Sequence, residues 1–152
     1  MPEFATEHRV GHSAGNMFDL VADVARYPEF VPYCTAMDVV SRSEEDGTPV
    51  VTARMTVAYG IIKETFTNRI VLDRANLTIS VRASDGPFRR LENDWRFEPV
   101  DSNSCTIHFS IAYEFRSLAL RLAAGAVSER AFGNYSKIFE DRADAIYGNA
   151  GS

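Results

Sequence analysis

The sequence predicts an α+β fold in which a curved antiparallel sheet of about seven strands wraps around one long C-terminal helix. Three observations lead to this prediction: apolar and polar residues alternate in several segments, short turn sequences separate them, and apolar residues recur at helical spacing near the C-terminus. Alternation puts successive side chains on opposite faces of a strand, so one face of this sheet is apolar and needs a helix to cover it.

The clearest strand covers 105–115, where every odd position is apolar or aromatic. The same alternation predicts further strands at about 3–10, 34–43, 51–59, 65–72, 77–84 and 91–97. Turn sequences such as Asp85-Gly86-Pro87 separate the later strands, and their short length favours an antiparallel meander. Gly60 interrupts one apolar run and predicts a bulge or bend there.

Two helices accompany the strands. A short helix follows the first strand, with Ser13 as its N-cap and Pro28 as its stop. The long helix extends from about Ser117 to Tyr147, with an apolar stripe at Leu118, Leu122, Ala126, Phe132, Tyr135, Phe139 and Ile146. In this phase Leu118 and Leu122 face the sheet, whereas Leu120 is exposed.

Length and composition narrow the class of protein. The 152 residues fit one domain, which we expect to span 1–152, with a core at about 3–147 and a flexible tail at 148–152. The net charge of −5 weighs against DNA or RNA as the main partner, since nucleic-acid-binding domains usually carry a basic face. No targeting segment and no apolar run of membrane-spanning length is found, so we expect a cytoplasmic protein.

Catalytic and metal-binding patterns are weak. Cys34 and Cys105 show neither disulfide nor zinc spacing, and His108 alternates onto a polar strand face. Acid-base chemistry needs ionisable groups that converge in a shielded pocket, whereas here they point away from the apolar side. We therefore nominate no catalytic residue, no metal and no catalytic cofactor.

The facing apolar surfaces of sheet and helix instead predict a ligand cavity of roughly 300–1,000 Å³. Its predicted lining is Met55, Val57, Phe66, Val81, Trp95, Phe97, Ile111, Tyr113, Leu118, Leu122, Phe132 and Tyr135. Pro28 and Pro32 stiffen the apolar segment 27–34, which forms either a lip of this cavity, through Phe30 and Val31, or a plug at one end of the core.

Two asparagines alternate onto the apolar face, Asn68 between Phe66 and Ile70, and Asn93 between Leu91 and Trp95. A buried amide without a partner costs roughly 1–3 kcal/mol, so each needs a hydrogen bond. Either the two amides bond to one another, to backbone or to buried water, or one of them donates to an oxygen of a bound ligand.

Several blocks resemble a known family when they are taken in order. They are the segments 27–34 and 66–69, followed by Gly86-Pro87-Phe88, 95–99 and Tyr113-Glu114-Phe115. Together they resemble the coenzyme Q-binding START-domain family, which includes bacterial RatA-like proteins, within the polyketide cyclase/dehydrase superfamily. The resemblance covers about residues 3–147.

This resemblance implies a helix-grip fold that binds ubiquinone or a related polyprenyl lipid and supports respiratory electron transport. The resemblance also favours the lip over the plug for the segment 27–34. The exposed Leu120 beside this segment predicts an apolar patch for transient contact with the inner face of the cytoplasmic membrane or with respiratory complexes. Two alternatives come with the resemblance: a ribosome-directed toxin that interferes with subunit association, and a cyclase-type enzyme.

Overall fold

The computed structural model describes residues 2–148 as seven strands and three α-helices. The elements in chain order are β1 (Glu3–Val10), α1 (Ala14–Ala22), a 3₁₀ helix (Val24–Glu29), β2 (Cys34–Glu45), β3 (Thr48–Tyr59), β4 (Ile62–Asp73), β5 (Thr78–Ala83), β6 (Phe88–Asp101), β7 (Ser104–Phe115), α2 (Leu118–Gly133) and α3 (Tyr135–Tyr147). The tail expected at 148–152 lies outside the described residues, apart from Gly148.

All seven strands form one antiparallel sheet in the order β1-β7-β6-β5-β4-β3-β2. Strands β2 to β7 are a meander, as the short turns predict, and β1 returns to pair with β7 from Glu3 opposite Ala112 to Val10 opposite Cys105. The α2 and α3 helices cover the apolar face, so the α+β helix-grip class is confirmed.

The hairpin turns follow from residues that tolerate a positive φ. Asp46 and Gly47 have φ values of 52° and 82°, the pattern of a type I′ turn. Gly60 has a φ of 58° and forms, with Ile61, a two-residue turn between β3 and β4. The bulge or bend predicted at Gly60 is therefore a hairpin turn.

The first helix begins as predicted and ends earlier than predicted. The Ser13 hydroxyl accepts a hydrogen bond from the Asn16 backbone N–H at 3.1 Å. The α-helix ends at Ala22, and Pro28 lies inside the following 3₁₀ helix. Proline fits there because its fixed φ matches 3₁₀ geometry, so it does not act as the stop.

The predicted single C-terminal helix is in fact two helices. Gly133 and Asn134, both poor helix formers, separate α2 from α3. The Asn134 N–H reaches back only three residues to the Ala131 carbonyl, at 3.2 Å, and its own carbonyl accepts from Ile138 at 2.9 Å to begin α3.

The predicted phase of the first helical half is wrong. Leu118 and Leu122 are 60% and 76% exposed, whereas Leu120 is half-buried. The face of α2 that packs inward is centred on Ala124 and Val127, and at 100° per residue Leu118 and Leu122 lie about 120° and 160° away from Ala124, on the solvent side.

The α3 helix fills the concave side of the sheet. Phe139 is fully buried and its ring meets those of Tyr27, Phe30 and Trp95 at centroid distances of 5.3, 5.1 and 5.0 Å. At the other edge, the His8 imidazole bonds the Glu140 carboxylate at 2.9 Å and thereby ties β1 to α3. These contacts hold α3 firmly, while α2 packs mainly on β7 and α3.

Candidate functional site

An apolar cavity of about 140 Å³ lies between α2, α3 and the sheet. It is smaller than the range expected from the sequence, and it lies where the sequence places it. Strands β3 to β7 contribute large side chains to the lining, and α2 contributes mostly small ones, Ala124, Ser128 and Ala131, beside Val127 and Phe132. The small α2 side chains leave a gap above the concave sheet, which explains the cavity.

Ten of the predicted site residues line this cavity. They are Met55, Val57, Phe66, Asn68, Val81, Asn93, Trp95, Ile111, Phe132 and Tyr135. Eight of them lie on strands, where alternation fixes the face on which a side chain lies.

Four predicted lining residues are placed elsewhere. Phe97 is 1% exposed and packs between Trp95 and Phe18 of α1, outside the cavity. Tyr113 is fully buried and packs against Phe132 at 5.0 Å, in the core beyond the cavity. Leu118 and Leu122 face solvent because α2 turns its other face, with Ala124 and Val127, toward the sheet.

The segment 27–34 is both a plug and a lip, but with other residues than predicted. Phe30 and Val31 do not line the cavity: Phe30 packs on Phe139, and Val31 is 3% exposed in the core. Tyr27, Pro32 and Tyr33 line it instead.

The mouth of the cavity is aromatic. Tyr33 and Tyr59 line the cavity, are 42% and 44% exposed, and contact each other edge to face at 5.4 Å. Tyr33 adopts a φ of 65°, in the left-handed region. Ile61, at the tip of the adjacent hairpin, is fully exposed.

Sequence reasoning missed the contributions of the first helical region and of α2. Val21 and Val24 line the cavity from the α1 and 3₁₀ region, and Val127 does so from α2. The burial of Val21 was visible in the helical spacing of α1. Alanine and serine positions on α2 carry no comparable signal, because these residues are common on either face of a helix.

The two asparagines differ sharply. Asn93 is satisfied within the protein: its Nδ2 donates to the Ser110 carbonyl at 2.9 Å, and its Oδ1 accepts from Trp95 Nε1 at 2.9 Å. Asn68 is 4% exposed and lines the cavity, yet its side chain makes no hydrogen bond within residues 2–148. Of these two buried amides, Asn68 is therefore the one whose hydrogen-bonding groups are available to a ligand.

The other polar groups of the lining are neutral. The Tyr27 hydroxyl donates to the Val21 carbonyl at 2.6 Å, and burial raises its pKa well above the usual value. Burial likewise raises the pKa of Tyr135. Among the described lining residues there is no carboxylate, imidazole, amine or guanidinium, so the lining provides hydroxyl and amide groups for hydrogen bonding.

Solved structures define the class of fold. The 18 kDa protein CC1736 from Caulobacter crescentus superposes with a TM-score of 0.76 at 31% identity, over 97% of this chain and 99% of that one. The Zhui aromatase/cyclase from a Streptomyces species superposes with a TM-score of 0.77 at 20% identity, over 94% and 93% of the two chains. The START superfamily protein from Mycobacterium smegmatis superposes with a TM-score of 0.74 at 19% identity, over 95% and 98%.

The sequence itself assigns the family. Residues 10–140 match the family described as polyketide cyclase / dehydrase and lipid transport, and the chain belongs to it. The Ribosome association toxin RatA of Escherichia coli is 35% identical over 147 residues, which are 97% of this chain and 90% of that protein. The mitochondrial Coenzyme Q-binding protein COQ10 of Drosophila melanogaster is 32% identical over 126 residues, which are 76% of this chain and 50% of that protein.

Within the described residues, no helix is both long and apolar enough to cross a bilayer.

Proposed function

We propose that the chain binds a prenylquinone, ubiquinone or a related polyprenyl lipid, and does so without catalysing a reaction. The observation that carries this proposal is the apolar cavity of about 140 Å³ beneath α2. An apolar cavity of about 150 Å³ holds one benzene ring, so this one has room for about one six-membered ring, the core of a quinone head group. The neutral lining suits such a ring, and the relative named as a coenzyme Q-binding protein supports the choice of ligand.

The size of the cavity also implies how the rest of the ligand is placed. One ring fills the space, so a polyprenyl tail leaves through the mouth between Tyr33 and Tyr59. These two rings and the fully exposed Ile61 form an apolar rim, and tyrosine favours the boundary between water and apolar phases. We propose that the rim meets a membrane surface or a respiratory complex from the cytoplasmic side, where quinone is exchanged in support of electron transport.

The test uses the protein as purified from cells. Native mass spectrometry and organic extraction should recover a prenylquinone, and a short-chain benzoquinone should quench the fluorescence of Trp95, the one tryptophan, which lines the cavity. The matched control is Ala124→Phe, which places a large ring in the cavity from α2 and should abolish both signals. Absence of lipid together with unquenched Trp95 in the wild-type protein would refute the proposal.

A second candidate function is interference with ribosomal subunit association. The RatA relatives favour it, since they match 97% of this chain and 90% of their own length. The surface gives it less support, because the basic pair Arg89-Arg90 is neutralised by Glu114 and Glu92, at 3.9 and 3.0 Å. Sucrose-gradient profiles of ribosomes with added protein distinguish the two: a loss of joined subunits supports this function, and an unchanged profile leaves the quinone proposal.

The cyclase alternative rests on the fold alone, since Zhui shares 20% identity with this chain. Cyclisation requires proton transfer, and the described cavity lining offers for it only hydroxyl and amide groups, of which Tyr27 and Tyr135 have raised pKa values.

A further inference from the structure

We infer that Asn68 is the residue that sets ligand specificity: it admits rings that carry an oxygen and rejects rings that do not. This inference rests on the proposed function, and it deepens it by naming the chemistry that the cavity selects. It depends on one observation, namely that Asn68 is a buried amide that lines an apolar cavity and has no partner in the described protein.

The position of Asn68 explains why the protein does not satisfy it. Asn68 lies in β4 on the same face as Phe66 and Ile70, both buried and apolar. The residue opposite it on β3 is Ala53, which is fully buried and has no polar side-chain atom to offer. The cavity is therefore the direction from which a partner for the amide can come.

Asn93 provides the internal comparison. It lies on the same sheet face and lines the same cavity, but one of its N–H groups donates to a backbone carbonyl and its side-chain oxygen accepts from the Trp95 indole. Two buried amides in one cavity thus have different roles: Asn93 holds Trp95 in place, and Asn68 stays available.

An unsatisfied amide discriminates between ligands in a predictable way. A hydrocarbon ring that covers Asn68 removes its access to water and gives nothing in return, which weakens binding. A ring oxygen restores the hydrogen bond. Because an amide carries both an N–H₂ donor and a carbonyl acceptor, Asn68 can bond to a quinone oxygen as donor or to a quinol hydroxyl as acceptor. We therefore expect the cavity to hold both redox states of the head group.

The test compares three ring-sized probes by calorimetry: a short-chain benzoquinone, its quinol under anaerobic conditions, and an alkylbenzene of matched size. Wild-type protein is compared with Asn68→Leu, with Asn68→Val as a smaller replacement. Val81→Leu is the control, because it also enlarges a side chain of the lining but leaves the amide in place. Circular dichroism and thermal melting establish that each variant is folded.

The inference requires effects of opposite sign. In Asn68→Leu and Asn68→Val, quinone and quinol should each bind roughly 5- to 100-fold more weakly, because an oxygen is buried without a partner. The alkylbenzene should bind at least as tightly as to the wild type, since the unsatisfied amide is gone. Val81→Leu should weaken all three probes alike.

The outcomes separate this inference from the proposed function. If the wild-type protein and all variants bind none of the probes, the proposed function fails. A different result overturns only the inference. It is that the wild-type protein binds the probes and the folded Asn68 variants either bind all three with wild-type affinities or lose all three equally. In that case the cavity binds rings without selection by Asn68.

Discussion

At the scale of single residues, Gly86 allows the turn between β5 and β6 to pack closely against β4, beside the cavity. It lies in the turn between β5 and β6 with a φ of 59°, and a Cβ atom there would lie 2.3 Å from the Thr65 carbonyl oxygen of β4. The turn is held at this distance because the Asp85 carboxylate accepts from the Thr67 N–H at 2.7 Å. In this arrangement the ring centroids of Phe88 and Phe66 lie 5.0 Å apart, and both rings line the cavity.

We predict that Gly86→Ala destabilises the protein by roughly 2–5 kcal/mol, measured as the free energy of unfolding in urea. A positive φ costs a residue with a Cβ about 1–2 kcal/mol, and the overlap with backbone adds about 1–3 kcal/mol. Gly60→Ala is the matched control, because Gly60 has a φ of 58° but open space around it, and it should lose only the first contribution. Equal losses in the two variants would show that the contact with Thr65 is not tight.

The hydrogen bond between Asn93 and Trp95 follows from their spacing in the sequence. The two residues are two positions apart on one strand, hence on the same face, and an indole N–H needs an acceptor when it is buried. The lack of a hydrogen-bond partner for Asn68 could not be predicted in the same way. It depends on which residue of β3 lies opposite Asn68, and that register is a property of the folded sheet.

At the scale of elements, the sequence predicts which face of a strand is buried far better than which face of a helix is buried. Strand alternation has a period of two, so Met55, Val81 and Trp95 could be assigned to the cavity face directly. The α2 helix offers two faces of similar hydrophobicity, one with Leu118 and Leu122 and the other with Ala124 and Val127. The face with the smaller side chains is the one that packs over the sheet and lines the cavity, and this choice depends on tertiary packing, which the sequence of the helix does not encode by itself.

The break at Asn134 gives the two C-terminal helices different functions. The α3 helix is part of the core, with Phe139 and Ala143 fully buried, whereas the inner face of α2 is largely half-buried and bounds the cavity. The α3 helix therefore provides stability, and α2 shapes the space for the ligand.

We predict that Phe139→Ala lowers the free energy of unfolding by about 3–5 kcal/mol, the usual loss for a buried phenylalanine. The reason is that its ring contacts those of Tyr27, Phe30 and Trp95. Ile146→Ala in the same helix is the control: Ile146 is 50% exposed, so its loss should be well under half as large. Comparable losses at both positions in urea denaturation would contradict the placement of α3 against the sheet.

At the scale of the whole molecule, the apolar core disfavours the ionised form of several groups buried in it. Cys34 and Cys105 are buried free thiols, and burial raises the pKa of each from 9.0 to about 11. Burial also raises the pKa of Tyr113 to about 12. In the unfolded chain each of these groups begins to ionise at a pH at which it is still neutral in the folded protein. Raising the pH above about 9 therefore lowers the free energy of unfolding.

We predict that the protein loses stability between about pH 9 and pH 11. Below pH 9.0 the thiols are neutral in both folded and unfolded chains, so their contribution is fully present; above it the unfolded thiols ionise first, and the contribution disappears as the pH passes the folded value of about 11. The expected loss is on the order of 2 kcal/mol per thiol at full ionisation. Urea unfolding under reducing conditions at pH 7.5, 9 and 10.5 measures it, and the double variant Cys34→Ala/Cys105→Ala should show a shallower decline because only the tyrosines remain. A free energy of unfolding that stays constant or rises over this interval would mean that the thiols are solvated in the folded protein and that this part of the core is open to water.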